Sequence, residues 1–343
     1  MVHPSARLRS GRIHLGAAGI KAMSAELVST ATASQPRDVS ARLIDRDESR
    51  LAWNQRVLEL AETKELPLFE RVRFLAIFAT NLDEYFMVRV ARLKRRLVPD
   101  VDTIGLNSQA LRPQLERISK IAHRLTLRHS LAFGRDIRFA LAAEGIHILC
   151  WVDLSAAEKS RMHAFFRSRI YPVLTPLAVD ATHPFPYISG LSLNLVVVVR
   201  DPTTGRPVFA RVKVPPSLPR FVEASKHRFV PLEDVIAAHL DQLFVCMEIV
   251  ERHAFRVTRN EGFELDDDTE RVLAADARAG LDRPMLEREL LRRRFGPAVR
   301  LEVEDSIPTE ILNRLAAELG VEENDIYRVP GPLDLSGLHE TLK

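Results

Sequence analysis

The residues best suited to chemistry lie between Phe74 and Val90. An apolar stretch, Phe74-Leu75-Ala76-Ile77-Phe78-Ala79, runs into the polar cluster Thr80-Asn81-Leu82-Asp83-Glu84 and leaves it through Tyr85-Phe86-Met87-Val88-Arg89-Val90. Two uses fit these residue types. Thr80 with Asp83 three residues on has capping-box spacing, and Asp83 and Glu84 would favour the positive end of a helix that begins there. In the other use, Asn81 points from a helix junction toward a ligand. Its amide both donates and accepts hydrogen bonds, which suits the edge of a nucleobase. The stretch ends in Arg89, Arg92, Lys94, Arg95 and Arg96. Such cations complement a helix C-terminus and form a solvated face, or they suit a polyanion passing alongside.

Other clusters carry less. Asp266-Asp267-Asp268 has no companion set of metal ligands and reads as acidic residues before a helix N-terminus; Arg292-Arg293-Arg294 mirrors it near a helix end. The 11 histidines show no H-E-x-x-H or other metal-ligand spacing. No G-x-S-x-G elbow, P-loop or G-x-G-x-x-G turn occurs, and glycine is scarce, 14 in 343 residues. A nucleotide would have to be held by something other than a glycine-rich loop. From the residues alone, no catalytic residue and no metal ligand is assigned.

Position comes from the elements. Trp53 to Ala61 reads as an amphipathic helix, and Pro67 opens a second in its first turn, with Phe69, Val72, Leu75, Ala76 and Ala79 at helical spacing. A third runs from about Leu82 to Arg96, and a loop follows from Val98 to Ser108. A long fourth helix, Ser108 to Ala143, carries the stripe Leu111, Leu115, Ile118, Ala122, Leu125, continued by His129, which reads as a core histidine. Gly145 fits a helix stop. Beyond it the pattern changes. A helix is expected over Asp153–Arg169, a buried strand over Ser192–Arg200, a turn at Asp201–Gly205 and a returning strand over Pro207–Val214. Then come a short strand at Phe229-Val230, a helix Leu232–Phe244, a strand His253–Thr258, helices Thr269–Ala279 and Pro284–Phe295, a strand Val299–Val303 and a helix Pro308–Leu319. The expected fold is multi-domain, α then α/β. A flexible basic tail spans 1–40, a helical bundle 41–145, and an α+β domain with a mostly antiparallel sheet 146–343.

Charge follows this division. Residues 1–37 hold 5 basic and 1 acidic residue, 38–145 hold 19 and 15, and 146–343 hold 25 and 30, for a net +3. A basic first half suits an anionic ligand. The balance as a whole does not call for nucleic acid, and no basic platform interleaved with aromatics supports one. Two cysteines, Cys150 and Cys246, exclude a disulfide framework and fit a reduced cytoplasmic setting. The longest strongly apolar run, Leu195–Val199, is far short of a membrane span. The first 37 residues lack a continuous apolar region and so do not resemble a secretory signal; Met23 offers an equally good start.

Several segments resemble the opening domains of the long bacterial polyphosphate kinases. They are Trp53-Asn54-Gln55-Arg56-Val57-Leu58, Arg71-Val72-Arg73-Phe74-Leu75-Ala76-Ile77-Phe78 and Asn81-Leu82-Asp83-Glu84-Tyr85-Phe86-Met87-Val88-Arg89. Later come Thr175-Pro176-Leu177-Ala178-Val179-Asp180, His183-Pro184-Phe185-Pro186-Tyr187-Ile188-Ser189, Leu191-Ser192-Leu193-Asn194-Leu195, Arg293-Arg294-Phe295-Gly296 and Tyr327-Arg328-Val329-Pro330-Gly331-Pro332-Leu333-Asp334-Leu335. The resemblance covers about residues 42–343. It implies an enzyme type that reversibly moves the terminal phosphate of ATP onto inorganic polyphosphate. It implies a helical domain that caps the nucleotide site, a head domain that takes part in dimerisation, and two further catalytic domains that this chain does not match. Asn81 matches the family's ATP-contacting asparagine. Magnesium is expected for the family, but its ligands belong to the unmatched domains. So does the phosphate-accepting histidine, which sits in an H-A-K context; here His163-Ala164 is followed by Phe165. Arg50 stands where a tryptophan is expected, which removes an apolar anchor from the first helix. The resemblance thus implies a truncated kinase whose partners are ATP, polyphosphate, a second copy through the head domain, or a separately encoded catalytic half. The alternative is a non-catalytic dimerisation or regulatory module that partners a catalytic subunit.

Overall fold

The computed structural model describes residues 45–97, 106–179, 185–260 and 296–341. Helix α1 (Arg46–Glu62) is longer than the periodicity predicted and buries Leu51, Leu58 and Ala61 on one side. Pro67 precedes α2 (Leu68–Glu84) as its N-cap, one residue outside the helix rather than within its first turn. No break follows at Thr80 or Asn81. The helix runs on through a wider π-type segment, Tyr85–Val90, into α3 (Ala91–Arg95). The expected third helix is therefore the continuation of the second. Within the π segment Tyr85, Phe86 and Val90 are buried, while Val88 is exposed. The long helix α4 (Leu106–Ala132) continues through a π segment (Phe133–Ile137) into α5 (Arg138–Ala143). Its stripe is buried at Leu111, Ile118, Ala122 and Leu125. The helix ends at Gly145 with φ +80°; Ile146 N–H bonds the Leu141 carbonyl and Gly145 N–H that of Ala142, a Schellman stop.

Beyond it lie β1 (His147–Ile148) and α6 (Ala156–Phe165), the helix capped by Ser155 with Glu158 completing the capping box. The expected helix start at Asp153 is thus three residues early: Asp153 ends a separate 3₁₀ turn, Trp151–Asp153. The strands β2 (Leu177–Val179), β3 (Ser192–Arg200), β4 (Pro207–Lys213), β5 (Phe221–Ser225) and β6 (Arg228–Pro231) follow. After α7 (Leu232–Ala237) and α8 (Leu240–Leu243) come β7 (Glu248–Arg259), β8 (Ala298–Glu304), α9 (Thr309–Leu319), β9 (Ile326–Val329) and α10 (Leu338–Thr341). The single helix expected over Leu232–Phe244 is two short ones, broken at Ala238-His239. The expected helices Thr269–Ala279 and Pro284–Phe295, the acidic triplet Asp266–Asp268 and the basic triplet Arg292–Arg294 lie outside the described residues.

The larger sheet has the order β2-β4-β3-β7-β8-β9, antiparallel except for the β8–β9 pair; the smaller has the order β1-β6-β5. β3 explains its own sequence. Leu193, Leu195, Val197 and Val199 face a core shared with the helical region, while Val196 and Val198 face a second core under α9. A strand covered on both faces has no reason to alternate in polarity, hence the unbroken run of valines. Edge strand β9 is covered by α4. Ser119 Oγ donates to the Asn324 carbonyl at 2.8 Å, the His123 ring stacks on Tyr327 at 3.9 Å, and His123 Nε2 bonds the Ile326 carbonyl at 2.9 Å. Such a cover protects an edge from stray strand pairing. Among the described residues no helix is long and apolar enough to cross a membrane.

Candidate nucleotide-contacting face

Asn81 lies mid-helix on α2, partly exposed. Its Nδ2 donates to Asn54 Oδ1 at 3.2 Å, and the buried Asn54 donates in turn to the Phe78 carbonyl at 3.3 Å. This chain of two amides fixes the Asn81 rotamer and leaves its Oδ1 without a protein partner among the described residues. Thr80 is not a cap: its Oγ1 donates back to the Ala76 carbonyl at 3.1 Å. The capping-box expectation for Thr80 and Asp83 is therefore corrected. Asn54 was missed in the sequence, although it carried a signal. It occupies the apolar stripe Leu51, Asn54, Leu58, Ala61, and a polar residue there needs a partner.

Two residues beyond Asn81, Asp83 faces the opposite way and is buried. Arg256 grips it with Nη1 to Oδ1 at 2.9 Å and Nη2 to Oδ2 at 2.5 Å, and Arg300 Nη2 also bonds it. Glu302 completes the cluster, 2.8 Å from Arg256 and 3.0 Å from Arg300, and Arg300 lies over the Phe86 ring at 4.7 Å. Burial alone would raise the Asp83 carboxyl, but the two guanidinium groups overcome it and hold it below the usual carboxylate range. Asp83 thus ties the helical region to β7 and β8. Nearby, His129 sits against Phe78 with ring centroids 4.8 Å apart, and its Nε2 bonds the Leu75 carbonyl at 3.0 Å. Burial lowers it to about 4, so it is a neutral core histidine, as its place on the stripe predicted.

The cavity between these groups, lined by Asp83, His129, Arg256, Arg300 and Asp334 among others, measures about 30 Å³. A nucleotide needs a site of several hundred Å³ (roughly 300 or more). The cluster is a structural tie, too tight for a nucleotide, and Asn81 lies on the opposite, partly exposed side of the helix. There Glu84 lies 4.0 Å from Arg50, whose guanidinium sits 5.4 Å from the Trp53 ring centre. Arg50 is half exposed, while its neighbour Leu51 faces inward and is fully buried. Further along the same helical course Arg92, Arg95 and Arg96 are exposed and Arg89 partly so, while Lys94 pairs with Asp325. Among the described residues no group of three or more His, Cys, Asp or Glu could hold a metal ion.

The family model described as the polyphosphate kinase N-terminal domain matches residues 43–149, and that of the polyphosphate kinase middle domain matches 157–341. The polyphosphate kinase of Streptomyces coelicolor is 56% identical over 298 residues, covering 87% of this chain and 39% of the relative. That of Mycobacterium leprae is 45% identical over 333 residues, covering 92% and 44%. The crystal structure of polyphosphate kinase from Porphyromonas gingivalis superposes with a TM-score of 0.69 at 24% identity, over 87% of this chain and 40% of that one. The chain spans about two fifths of the length of these relatives. It belongs to the polyphosphate kinase family.

Proposed function

We propose that residues 41–145 and 146–343 act as the nucleotide-capping and head domains of a polyphosphate kinase, an enzyme that reversibly transfers the terminal phosphate of ATP to polyphosphate. The observation that carries this reading is Asn81. Its amide is oriented by Asn54 on an exposed helix face, with an acceptor oxygen to spare. The chain contributes one wall of a site rather than a pocket, so alone it binds ATP weakly. It does not transfer phosphate by itself, because no H-A-K histidine nucleophile occurs in it. The working form is a cytoplasmic homo-oligomer through the head domain, or a complex with a catalytic half.

The test mixes the chain with a separately produced catalytic half and assays polyphosphate made from ATP and magnesium. Synthesis by the mixture, lost in neither component's refolding control and weakened by Asn81→Ala, supports the reading. Synthesis by the chain alone overturns the assignment of the chemistry elsewhere. Micromolar ATP affinity unchanged in Asn81→Ala overturns the role of Asn81. A mixture that assembles but whose activity does not depend on the chain favours the non-catalytic regulatory module.

A further inference from the structure

Arg89, Arg92, Arg95 and Arg96 form a set that the fold does not use. Among the described residues none of the four makes a side-chain hydrogen bond or ion pair, although most arginines elsewhere do. Arg71 pairs with Asp136, Arg128 with Glu62, Arg220 with Glu233 and Arg228 with Glu158. The helix macrodipole favours a cation or two in the last turn. Lys94 is already there, bound to Asp325. Arg89 lies a turn earlier, on the π segment, beyond the reach of that effect. Four like charges along one short helical course repel one another, and among the described residues none of them is paired with a carboxylate.

Their placement is ordered. From Asn81 the exposed positions continue through Glu84 and Val88 to Arg92, Arg95 and Arg96, with Arg89 beside them. The course from Asn81 to Arg96 spans about 20 Å at 1.5 Å per residue. Steps of three and four residues keep Asn81, Glu84, Val88, Arg92 and Arg95 on one exposed side of the helical course. All four are arginines, whose planar forks match phosphate oxygens two at a time. Resting on the kinase reading above, we propose that this arginine row is a binding track for linear polyphosphate, lying along α2–α3 and leading toward the Asn81 end of the face.

The test titrates the full chain with inorganic polyphosphate across a salt series. The variants are Arg92→Gln/Arg95→Gln/Arg96→Gln and a control pair on exposed, unpaired arginines elsewhere, Arg161→Gln/Arg169→Gln. All the substituted positions are exposed, and circular dichroism checks that helix content is kept. The triple variant is expected to lose at least about tenfold in affinity and to lower the slope of log affinity against log salt by about two to three, the control pair by far less. Unchanged affinity in the triple variant, or equal loss in the control, overturns the proposal. A single-stranded oligonucleotide of equal charge, bound as tightly and lost as steeply, also overturns it, in favour of a general polyanion face. Loss of the track with the Asn81 contribution to reconstituted synthesis intact refutes this inference alone. Polyphosphate bound by the track, with no synthesis by any reconstituted mixture, refutes the kinase reading alone.

Discussion

Two groups of arginines attached to one helical course differ in everything but chemistry. Arg256 and Arg300 approach α2 from strands β7 and β8, are almost fully buried, and spend their charge on Asp83 and Glu302. Arg89, Arg92, Arg95 and Arg96 sit on the helix itself, reach into solvent, and pair with no described residue. A guanidinium buried beside a carboxylate must keep its partner, because the desolvation already incurred is repaid only by the pair. An exposed one costs the fold almost nothing and is available to a ligand. The buried, paired side of this helix and its exposed side are thus separated by two residues, Asp83 and Asn81.

The largest expected effect comes from breaking the buried side. Asp83→Ala leaves Arg256 and Arg300 facing one another with Glu302 as their near neighbour, and is expected to cost about 3–5 kcal/mol in urea denaturation. A loss under about 1 kcal/mol would mean that the cluster relaxes to water and that the two sides do not differ as described. Replacing the whole cluster by apolar groups is a different experiment and need not destabilise.

A second, smaller effect sharpens the contrast through pH. His129 is neutral in the fold, with its value lowered by burial to about 4 from 6.5 in the unfolded chain. The unfolded state therefore binds the proton first. The contribution is fully present above pH 6.5 and is lost as pH falls from 6.5 to 4, about 3 kcal/mol in all. Asp83, held low by its arginines, adds to the loss at still lower pH. In His129→Gln the stability profile between pH 6.5 and 4 is expected to flatten, while polyphosphate binding keeps its salt dependence. A profile that stays as steep as the wild type would place the acid sensitivity elsewhere. The buried side of the helix is thus read by protons and the exposed side by salt.

Local features were legible in the sequence, and long-range pairings were not. The α4 stripe, its Gly145 stop, the β3 run and the burial of His129 all follow from periodicity and side-chain type over a few residues. The expected break at Thr80-Asn81 failed because a polar cluster looks alike as a cap and as the middle of a helix whose polar residues find distant partners. Asp83 finds Arg256 and Arg300, 173 and 217 positions away, and no local pattern encodes that. The short strands β1, β2, β5 and β9 were unread for the same reason: two to five residues carry too little alternation, and their neighbours in the sheets come from elsewhere in the chain. The basic run was visible from the start. What the fold adds is that its arginines remain unpaired while those around them are used.

The smallest expected effect tests the boundary between the two sides. Sequence resemblance placed an apolar anchor at position 50, and Arg50 looked like its loss. The helix turns that position outward: the side chain is half exposed between the Trp53 ring and Glu84, and Leu51 beside it is fully buried. Arg50→Trp therefore is expected to move the urea midpoint by the equivalent of no more than about 0.5 kcal/mol. What it removes is a cation beside Glu84, and with it a cation–π contact worth about 0.5–1 kcal/mol at exposed sites, offset by the apolar area a second indole covers. A stabilisation well above 1 kcal/mol would show that position 50 belongs to the buried side after all, and that the exposed face begins farther along α1, closer to Asn54 and Asn81.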